Sequence, residues 1–169
     1  MTIRLRLLDA RDLAPLKALV RATGVFAAHE IAVADELLDA AAAGSPDYLV
    51  HVAVFDAGAG GSAASGSIAG YVCHGLNPVT NGLYDVYWLA VDPAAQGKGI
   101  GRALLEHAER RVREAGGRGL VVDTSGRAEY RAAHRLYERC GFERVAEVAD
   151  YYARGDSLIM YMKQVQQRK

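Results

Sequence analysis

The segment that most constrains this chain runs from residue 91 to residue 105 and reads VDPAAQGKGIGRALL. It has the pattern of a strand end, a tight turn, a glycine-rich loop and the first turns of a helix. Three glycines stand at alternate positions, so successive backbone N–H groups can point into one concavity at the positive end of the helix dipole. Such a loop predicts a site for a phosphate group, to which Lys98 and Arg102 would add positive charge.

Four interpretations of this loop compete. A P-loop requires Gly-Lys followed by Ser or Thr, but the only lysine of the loop lies between two glycines and no hydroxyl follows it. In a dinucleotide fingerprint the third glycine would fall on Arg102 or Leu104, although Asp123 stands at a suitable distance for a ribose-binding acid. The third interpretation is a turn without a ligand. The fourth is the pattern Gln/Arg-x-x-Gly-x-Gly/Ala after a strand that ends in Val-x-Pro, and residues 96–101 match it in full.

A second motif follows at residues 130–142, which read YRAAHRLYERCGF. The two motifs resemble the hallmarks of the GNAT N-acetyltransferase superfamily, namely its acyl-CoA pyrophosphate loop and a helix that ends in Leu-Tyr-Glu-x-x-Gly-Phe. The segments DYY at 150–152 and DSLIMYM at 156–162 resemble its two closing strands. The resemblance is sharp from Tyr84 to Tyr161. Within the family, the chain is loosely similar to the bacterial ribosomal-protein N-terminal acetyltransferases.

Composition narrows the class of protein. A chain of 169 residues with 51% hydrophobic and 24% charged residues fits one globular domain over residues 1–169, with residues 164–169 as a frayed tail. Its net charge is zero, which argues against a nucleic-acid partner. No apolar run approaches ~18 residues, so no membrane partner is expected and the expected location is cytoplasmic. Neither the cysteines Cys73 and Cys140 nor the five histidines have the spacing of a metal site.

Hydrophobic periodicity predicts the element order β-α-α-β-β-β-α-β-α-β-β. The predicted strands are 3–7, 48–55, 67–74, 84–91, 120–123, 142–151 and 157–163, and the predicted helices are 13–22, 31–43, 99–115 and 130–140. Residues 57–66 contain only Gly, Ala and Ser and predict a flexible hairpin loop. The order is that of the GNAT family, so the resemblance implies an α/β (α+β) fold with a mixed, partly splayed sheet of about seven strands and about four helices.

The resemblance also implies acetyl-CoA (coenzyme A) as the cofactor, held in the gap between the central strand and its parallel neighbour. The residues expected to bind it are Leu89, Ala90, Val91, Gln96, Gly97, Lys98, Gly99, Ile100, Gly101, Arg102 and Tyr130. Tyr130 is a departure, because family members often have an asparagine seven residues before the catalytic tyrosine.

Acetyl transfer to an amine needs a base, an oxyanion donor and a proton for the leaving thiolate. Tyr137 matches the tyrosine that the family places beside the cofactor sulfur, and a phenol carries a proton at neutral pH; alternatively, it only packs the helix. Asp85 matches the base of the histone-acetylating branch, and Asp123 matches a glutamate of the ribosomal-protein branch. Either carboxylate can instead be structural, or both bind the cationic amine while water carries the proton.

Strict alternation places Asp85, Tyr87, Leu89 and Val91 on one face of the central strand.

We therefore expect an acetyl-CoA-dependent N-acetyltransferase that acts directly on a primary amine of a small molecule. The alternatives are a peptide or protein N-terminal α-amine as the acceptor, or a non-catalytic regulator that binds acyl-CoA. Substrate recognition is expected from residues 24–46, 77–82 and 151–156. Because family members often pair through their closing strands, a homodimer is left open.

Overall fold

The computed structural model describes residues 2–55 and 67–165. The strands are β1 Ile3–Leu7, β2 Leu49–Phe55, β3 Ile68–Leu76, β4 Leu83–Val91, β5 Gly119–Ser125, β6 Glu143–Ala153 and β7 Asp156–Gln164. The helices are α1 Leu13–Ala22, α2 Ala28–Ala42, α3 Ile100–Glu114 and α4 Arg131–Arg139. The hairpin loop expected at 57–66 lies outside the described residues. Of the expected tail, Gln164 ends β7 and Val165 is buried, so these two residues belong to the folded domain.

The strands form one mixed sheet in the order β1-β2-β3-β4-β5-β7-β6, in which only the β4–β5 pair is parallel among the described strands. Helices α3 and α4 cover one face, and α1 and α2 cover the other. Helix α3 buries an apolar stripe that includes Ile100, Leu104, Ala108 and Val112. The predicted fold class, a seven-stranded mixed sheet with four helices, is therefore confirmed.

Strands β4 and β5 part soon after they meet. Their pairing covers three positions, which end with Asp85 opposite Val121. Among the described residues, β4 has no partner in β5 from Val86 to Val91. The backbone of the central strand is thus open on one edge, and a wedge-shaped gap separates the two strands.

A β-bulge changes the faces of β4. The register with β3 steps from Cys73–Trp88 to His74–Val86 and leaves Tyr87 without an opposite residue. A bulge adds one residue to one strand, so the side chains beyond it change faces. The prediction of strict alternation is therefore wrong at this point. Tyr84, Val86, Leu89 and Val91 pack on the α3 face, and Tyr87, Trp88 and Ala90 pack on the α1–α2 face.

Three histidines meet between the sheet and α3. The ring of His51 on β2 stacks on His74 of β3 at 5.5 Å, and the His107 ring of α3 lies 4.3 Å from His51. His74 is fully buried, and neither of its ring nitrogens has a hydrogen-bond partner. In the described parts of the chain, no group of three or more His, Cys, Asp or Glu side chains has a geometry that could hold a metal ion. The same residues contain no helix long and apolar enough to cross a membrane.

Candidate active site

A cleft of about 1010 Å³ fills the gap where β4 and β5 diverge. It is lined by β4 from residue 86 to 91, by residues 95–97 and 99–102, by the end of β5 at 122–125, by α4, and by side chains of α2 and β6. Most residues expected to bind the cofactor lie on this lining, as do Tyr137 and Asp123. The splayed pair of strands is what creates the cleft.

The glycine-rich loop forms one wall of the cleft. After β4, the Asp92 carboxylate accepts a hydrogen bond from the Ala94 N–H at 2.8 Å and starts a short 3-10 turn. Gly97 and Gly99 follow with φ of +73° and +79°. Residues with a Cβ rarely adopt such angles. Nothing lies within 4 Å of a Cβ added at either glycine, so these positions need glycine for the backbone direction and not for space.

Helix α3 begins at this loop without a cap. Gly99 is its N-cap residue, and no side chain accepts a hydrogen bond from the first turn. The first N–H groups of a helix have no partner within the helix and carry its positive dipole end. No side chain caps these donors among the described residues, so they fit an anionic group such as a diphosphate.

The cationic side chains near this loop differ in position. Lys98 donates a hydrogen bond to the Ala94 carbonyl at 2.7 Å and does not line the cleft. Arg102 lines the cleft, and its Nε donates to Glu106 at 2.6 Å. Gln96 Nε2 donates to the Val91 carbonyl at 3.4 Å. Contact between Lys98 and a bound phosphate stays a prediction that would need this side chain to move.

Gly101 sets the distance between the loop and α4. A Cβ at this position would lie 2.8 Å from Leu136 Cδ2, closer than real Cβ atoms approach. The absence of a side chain thus lets α3 pack tightly on α4, the helix that carries Tyr137. The same glycine-rich segment therefore supplies the N–H donors and positions the candidate acid.

Tyr137 lies at the inner wall of the cleft and is 6% exposed. Its ring is 5.5 Å from Tyr161 and 5.9 Å from Phe142, so the packing role considered above is real. None of the hydrogen bonds between described residues involves its hydroxyl. Burial raises the pKa of this phenol, which keeps it protonated and able to donate.

The two candidate carboxylates differ in access. Asp123 lines the cleft, and removal of bulk water by the surrounding protein raises its pKa. Asp85 is partly buried and does not belong to the cleft lining. Burial and then the charge of Asp123 raise its pKa, whereas a hydrogen bond with Asn77 lowers it. Both acids lie near each other, but only Asp123 faces the space where an acceptor would bind.

The far end of the cleft is aromatic. Phe26 packs on Trp88 with ring centroids 4.9 Å apart, and Trp88 Nε1 has no hydrogen-bond partner among the described residues. Strand β6 has four residues between Val148 and Ala153, whereas β7 has one residue between their partners Leu158 and Asp156. Tyr152 is one of these extra residues of β6, and it lines this end of the cleft. Burial and then nearby Asp123 raise the pKa of Tyr152 to about 12.

Sequence reasoning missed two residues of this end, Trp88 and Arg127, whereas Phe26 lies in the segment 24–46 that was expected to recognise the substrate. The bulge at Tyr87 puts Trp88 on the α1–α2 face of the sheet, where it packs on Phe26. No local pattern marks Arg127, since it enters the site through contacts with distant segments.

A family model described as "Acetyltransferase (GNAT) domain" matches residues 46–144 of this chain. The chain belongs to the GNAT acetyltransferase family. The resemblance drawn from the two motifs is thereby confirmed, and the chain carries a GNAT acetyltransferase domain.

Similar proteins agree with this assignment. A crystal structure of a GNAT-family protein from Desulfovibrio desulfuricans superposes with a TM-score of 0.86 at 36% identity, covering 98% of this chain and 100% of that one. The N-alpha-acetyltransferase RimI of Mycobacterium tuberculosis is 38% identical over 93 residues, which are 54% of this chain and 56% of that protein. A mycothiol acetyltransferase of Propionibacterium freudenreichii is 42% identical over 67 residues, 40% of this chain and 21% of that protein.

The chain thus spans between about a fifth and about half of the length of these two curated relatives. Membership of the GNAT acetyltransferase family supports acetyl-CoA as the cofactor of this domain. Two solved structures with the same fold, at 15% and 20% identity, contain coenzyme A or acetyl-CoA. The uncapped start of α3 and the open edge of β4 are the features of this chain that fit that cofactor.

Proposed function

We propose that this GNAT domain is an acetyl-CoA-dependent N-acetyltransferase that transfers the acetyl group directly to a primary amine of a small molecule. One observation carries the proposal. A single cleft brings together the uncapped N-terminus of α3, the unpaired edge of β4 and the buried phenol of Tyr137. Neither a P-loop nor a dinucleotide fold needs a splayed pair of strands, whereas a long thioester arm does.

The cofactor, when bound, supplies an activated acetyl thioester. The N–H groups of residues 99–102 would hold its diphosphate. The open backbone of Leu89, Ala90 and Val91 would hydrogen-bond to the amides of its arm. One N–H of this edge would also serve as the donor to the oxyanion that develops during transfer. These roles need no side chain on the loop, in agreement with its glycines.

Two side chains of the cleft can move the protons. Asp123 would accept the proton of the acceptor amine, directly or through a water molecule. Tyr137 would donate its phenolic proton to the departing thiolate, whose ordinary pKa near 8.5 makes a weak acid sufficient. No covalent intermediate on the protein is needed, and burial raises the pKa of Cys140, the cysteine on the cleft lining, which makes it a poor nucleophile.

The acceptor end supports an amine with an apolar or aromatic body. Phe26, Trp88 and Tyr152 supply apolar surface, Asp123 supplies negative charge for a cationic amine, and Trp88 Nε1 has no hydrogen-bond partner among the described residues. The similarity to RimI favours a peptide α-amine as the second candidate. A cytoplasmic location and a homodimer remain parts of the proposal; light scattering of the purified chain would measure its mass in solution.

Calorimetric titration with acetyl-CoA and, separately, with NADH tests the proposal first. We expect heat of binding from acetyl-CoA alone. A panel of small amines and N-terminal peptides, assayed by release of free thiol and by mass of the acetylated product, then identifies the acceptor class. Tight acetyl-CoA binding with no product from any amine would favour the non-catalytic regulator, and binding of NADH alone would overturn the proposal.

The loop glycine Gly99 offers a test with a matched control. Alanine at φ +79° costs about 1 kcal/mol of strain, and the strain redirects the N–H donors. We expect Gly99→Ala to raise the Kd of acetyl-CoA about 10-fold, equivalent to about 1.4 kcal/mol. Gly116→Ala has the same strain, at φ +76° with nothing within 4 Å of its Cβ, but lies at the opposite end of α3. It should lose similar thermal stability and keep its affinity; equal affinity loss in both variants would contradict a role for the loop.

Asparagine substitutions separate the two carboxylates. We expect Asp123→Asn to lower kcat/KM by about 100-fold and Asp85→Asn by less than about 3-fold, because only Asp123 faces the cleft. The rate of the unchanged chain should rise with pH through the raised pKa of Asp123, since a base must be deprotonated to act. The reverse order of the two variants in steady-state kinetics would transfer the role to Asp85.

A further inference from the structure

A polar bridge joins α2 to the segment between β5 and α4. The Tyr130 hydroxyl donates a hydrogen bond of 2.6 Å to Glu30 Oε1. Arg127 donates to Glu30 Oε2 at 3.3 Å, and its guanidinium lies 5.3 Å from the centroid of the Tyr130 ring. The bridging residues are 100 positions apart in sequence, and all three line the cleft. We call Glu30, Arg127 and Tyr130 the Glu30 bridge.

On one side, the Glu30 bridge holds the beginning of α2. Glu30 Oε2 also accepts a hydrogen bond from the Ala27 N–H at 2.7 Å, so one carboxylate organises the first turn of the helix. Further along α2, Ala34 and Leu38 are buried against the body of the domain, whereas Val33 is 48% exposed. The first turn of α2 is therefore held by the bridge together with the packing of Ile31 against the core.

On the other side, the Glu30 bridge holds the segment that leads into the catalytic helix. Tyr130 immediately precedes α4 and stands seven residues, about two helical turns, before Tyr137. Arg127 is fixed in turn by Ser125 Oγ at 3.3 Å and by Asp156 Oδ2 at 3.4 Å. A shift of residues 125–130 would therefore also displace the side chain of Glu30, to which Arg127 and Tyr130 are hydrogen-bonded.

The hydrogen bond of the Tyr130 hydroxyl gives a structural reason why this chain has a tyrosine at position 130. A tyrosine stands where family members often have an asparagine, and its hydroxyl is engaged with α2. An asparagine side chain is too short to span the distance that a tyrosine ring covers. The Tyr130 ring also contacts the acceptor end of the cleft, because it lies 6.2 Å from the Phe26 ring, which packs on Trp88.

We propose that Glu30, Arg127 and Tyr130 are positioning residues that transmit occupation of the coenzyme site to the first turn of α2, and thereby set the acceptor end of the cleft before the amine binds. This inference rests on the proposed function, because it requires acetyl-CoA to occupy the cleft. Binding along 125–130 and α4 restricts the segment, the Tyr130–Glu30 hydrogen bond passes this restriction to α2, and the acceptor pocket closes around Phe26 and Trp88.

Amide hydrogen exchange with and without saturating acetyl-CoA tests this coupling in the unchanged chain, in Tyr130→Phe and in Tyr151→Phe. We expect acetyl-CoA to slow exchange in residues 28–33 by at least about fivefold in the unchanged chain and in Tyr151→Phe, whose ring is exposed. In Tyr130→Phe, which keeps the ring and loses the hydroxyl, the slowing should fall below about twofold. Saturation is verified for each protein by calorimetry.

A second pair of variants separates coupling from simple stability. Glu30→Gln keeps one acceptor oxygen for the Ala27 N–H, and its NH2 group can donate to the Tyr130 hydroxyl at the position of Oε1, so it should retain the slowing; Glu30→Leu should lose it. Once the amine panel has supplied an acceptor, Tyr130→Phe should raise its KM about 10-fold, more than it changes kcat. Equal slowing in Tyr130→Phe, or acetyl-CoA binding without any slowing in α2 of the unchanged chain, would overturn the inference alone. Failure of acetyl-CoA to bind would overturn the proposed function with it.

Discussion

Tyr137→Phe should lower kcat for acetyl transfer by about 100-fold, equivalent to about 2.7 kcal/mol of transition-state stabilisation. The substitution removes only the hydroxyl of a side chain that lines the cleft, and this hydroxyl takes part in no hydrogen bond between described residues. The ring packing against Tyr161 and Phe142 is retained, so the fold and the Kd of acetyl-CoA should change little. Stopped-time product assays at saturating acetyl-CoA, with calorimetry for the Kd, measure both quantities.

Tyr161→Phe is the matched control for this prediction. Its ring lies 5.5 Å from Tyr137, but its hydroxyl donates to Glu138 at 3.1 Å and does not line the cleft. We expect the control to keep kcat within about twofold. Because burial raises the pKa of Tyr137, the rate should also show no loss from phenol ionisation between neutral and mildly alkaline pH. A kcat of Tyr137→Phe equal to that of the control would remove the acid from the mechanism.

Acidification from about pH 7.5 to about pH 5 should lower the free energy of unfolding by roughly 4 kcal/mol through two buried histidines. Burial and then the charges of neighbouring histidines and arginines lower the pKa of His51 to about 3 and that of His74 to about 4. In the unfolded chain both would titrate near 6.5. The unfolded state therefore binds more protons than the folded state below pH 6.5. The free energy of unfolding falls as the pH falls, down to the pKa values of the folded state, and each histidine contributes roughly 2 kcal/mol to this loss by pH 5.

The groups that face this cluster support the sign of the effect. On α3, His107 accepts a hydrogen bond from Arg110 at 2.6 Å. Besides burial, the positive charges of Arg110 and Arg111 lower the pKa values of His51 and His107, whereas the negative charge of Glu114 raises that of His107. On β4, the Tyr84 ring lies 6.5 Å from His74. A proton added to His74 would have no acceptor among these residues, since both of its nitrogens are unpartnered.

Urea unfolding at several pH values measures this prediction in the unchanged chain, in His74→Leu and in His29→Gln. His74→Leu should remove about half of the stability lost on acidification, whereas His29→Gln, at an exposed position, should leave the loss unchanged. Titrating carboxylates are common to all three proteins, so the difference between them isolates His74. An identical pH dependence in His74→Leu would show that the buried cluster does not carry the acid sensitivity.

Local sequence decided the parts of this protein that depend on neighbouring residues. Glycines at 97 and 99 are required by positive φ angles, and alternation and helical periodicity predicted the element order. The resemblance of residues 130–142 to the family's helix motif implied that Tyr137 lies beside the cofactor, and the structure has this residue on the cleft lining. These features follow from backbone sterics and from apolar spacing, which act over a few residues.

Only the tertiary structure decided which polar groups meet. The bulge at Tyr87 puts Trp88 on the α1–α2 face, and bulges depend on how two strands register across the sheet. Access distinguishes Asp123 from Asp85, although both stand on strands of similar pattern. Glu30 and Tyr130 meet across 100 residues because the packing of helices on both faces of a splayed sheet brings α2 to the entrance of α4. Such contacts reflect the global arrangement of the chain, for which a short stretch of sequence has no signature.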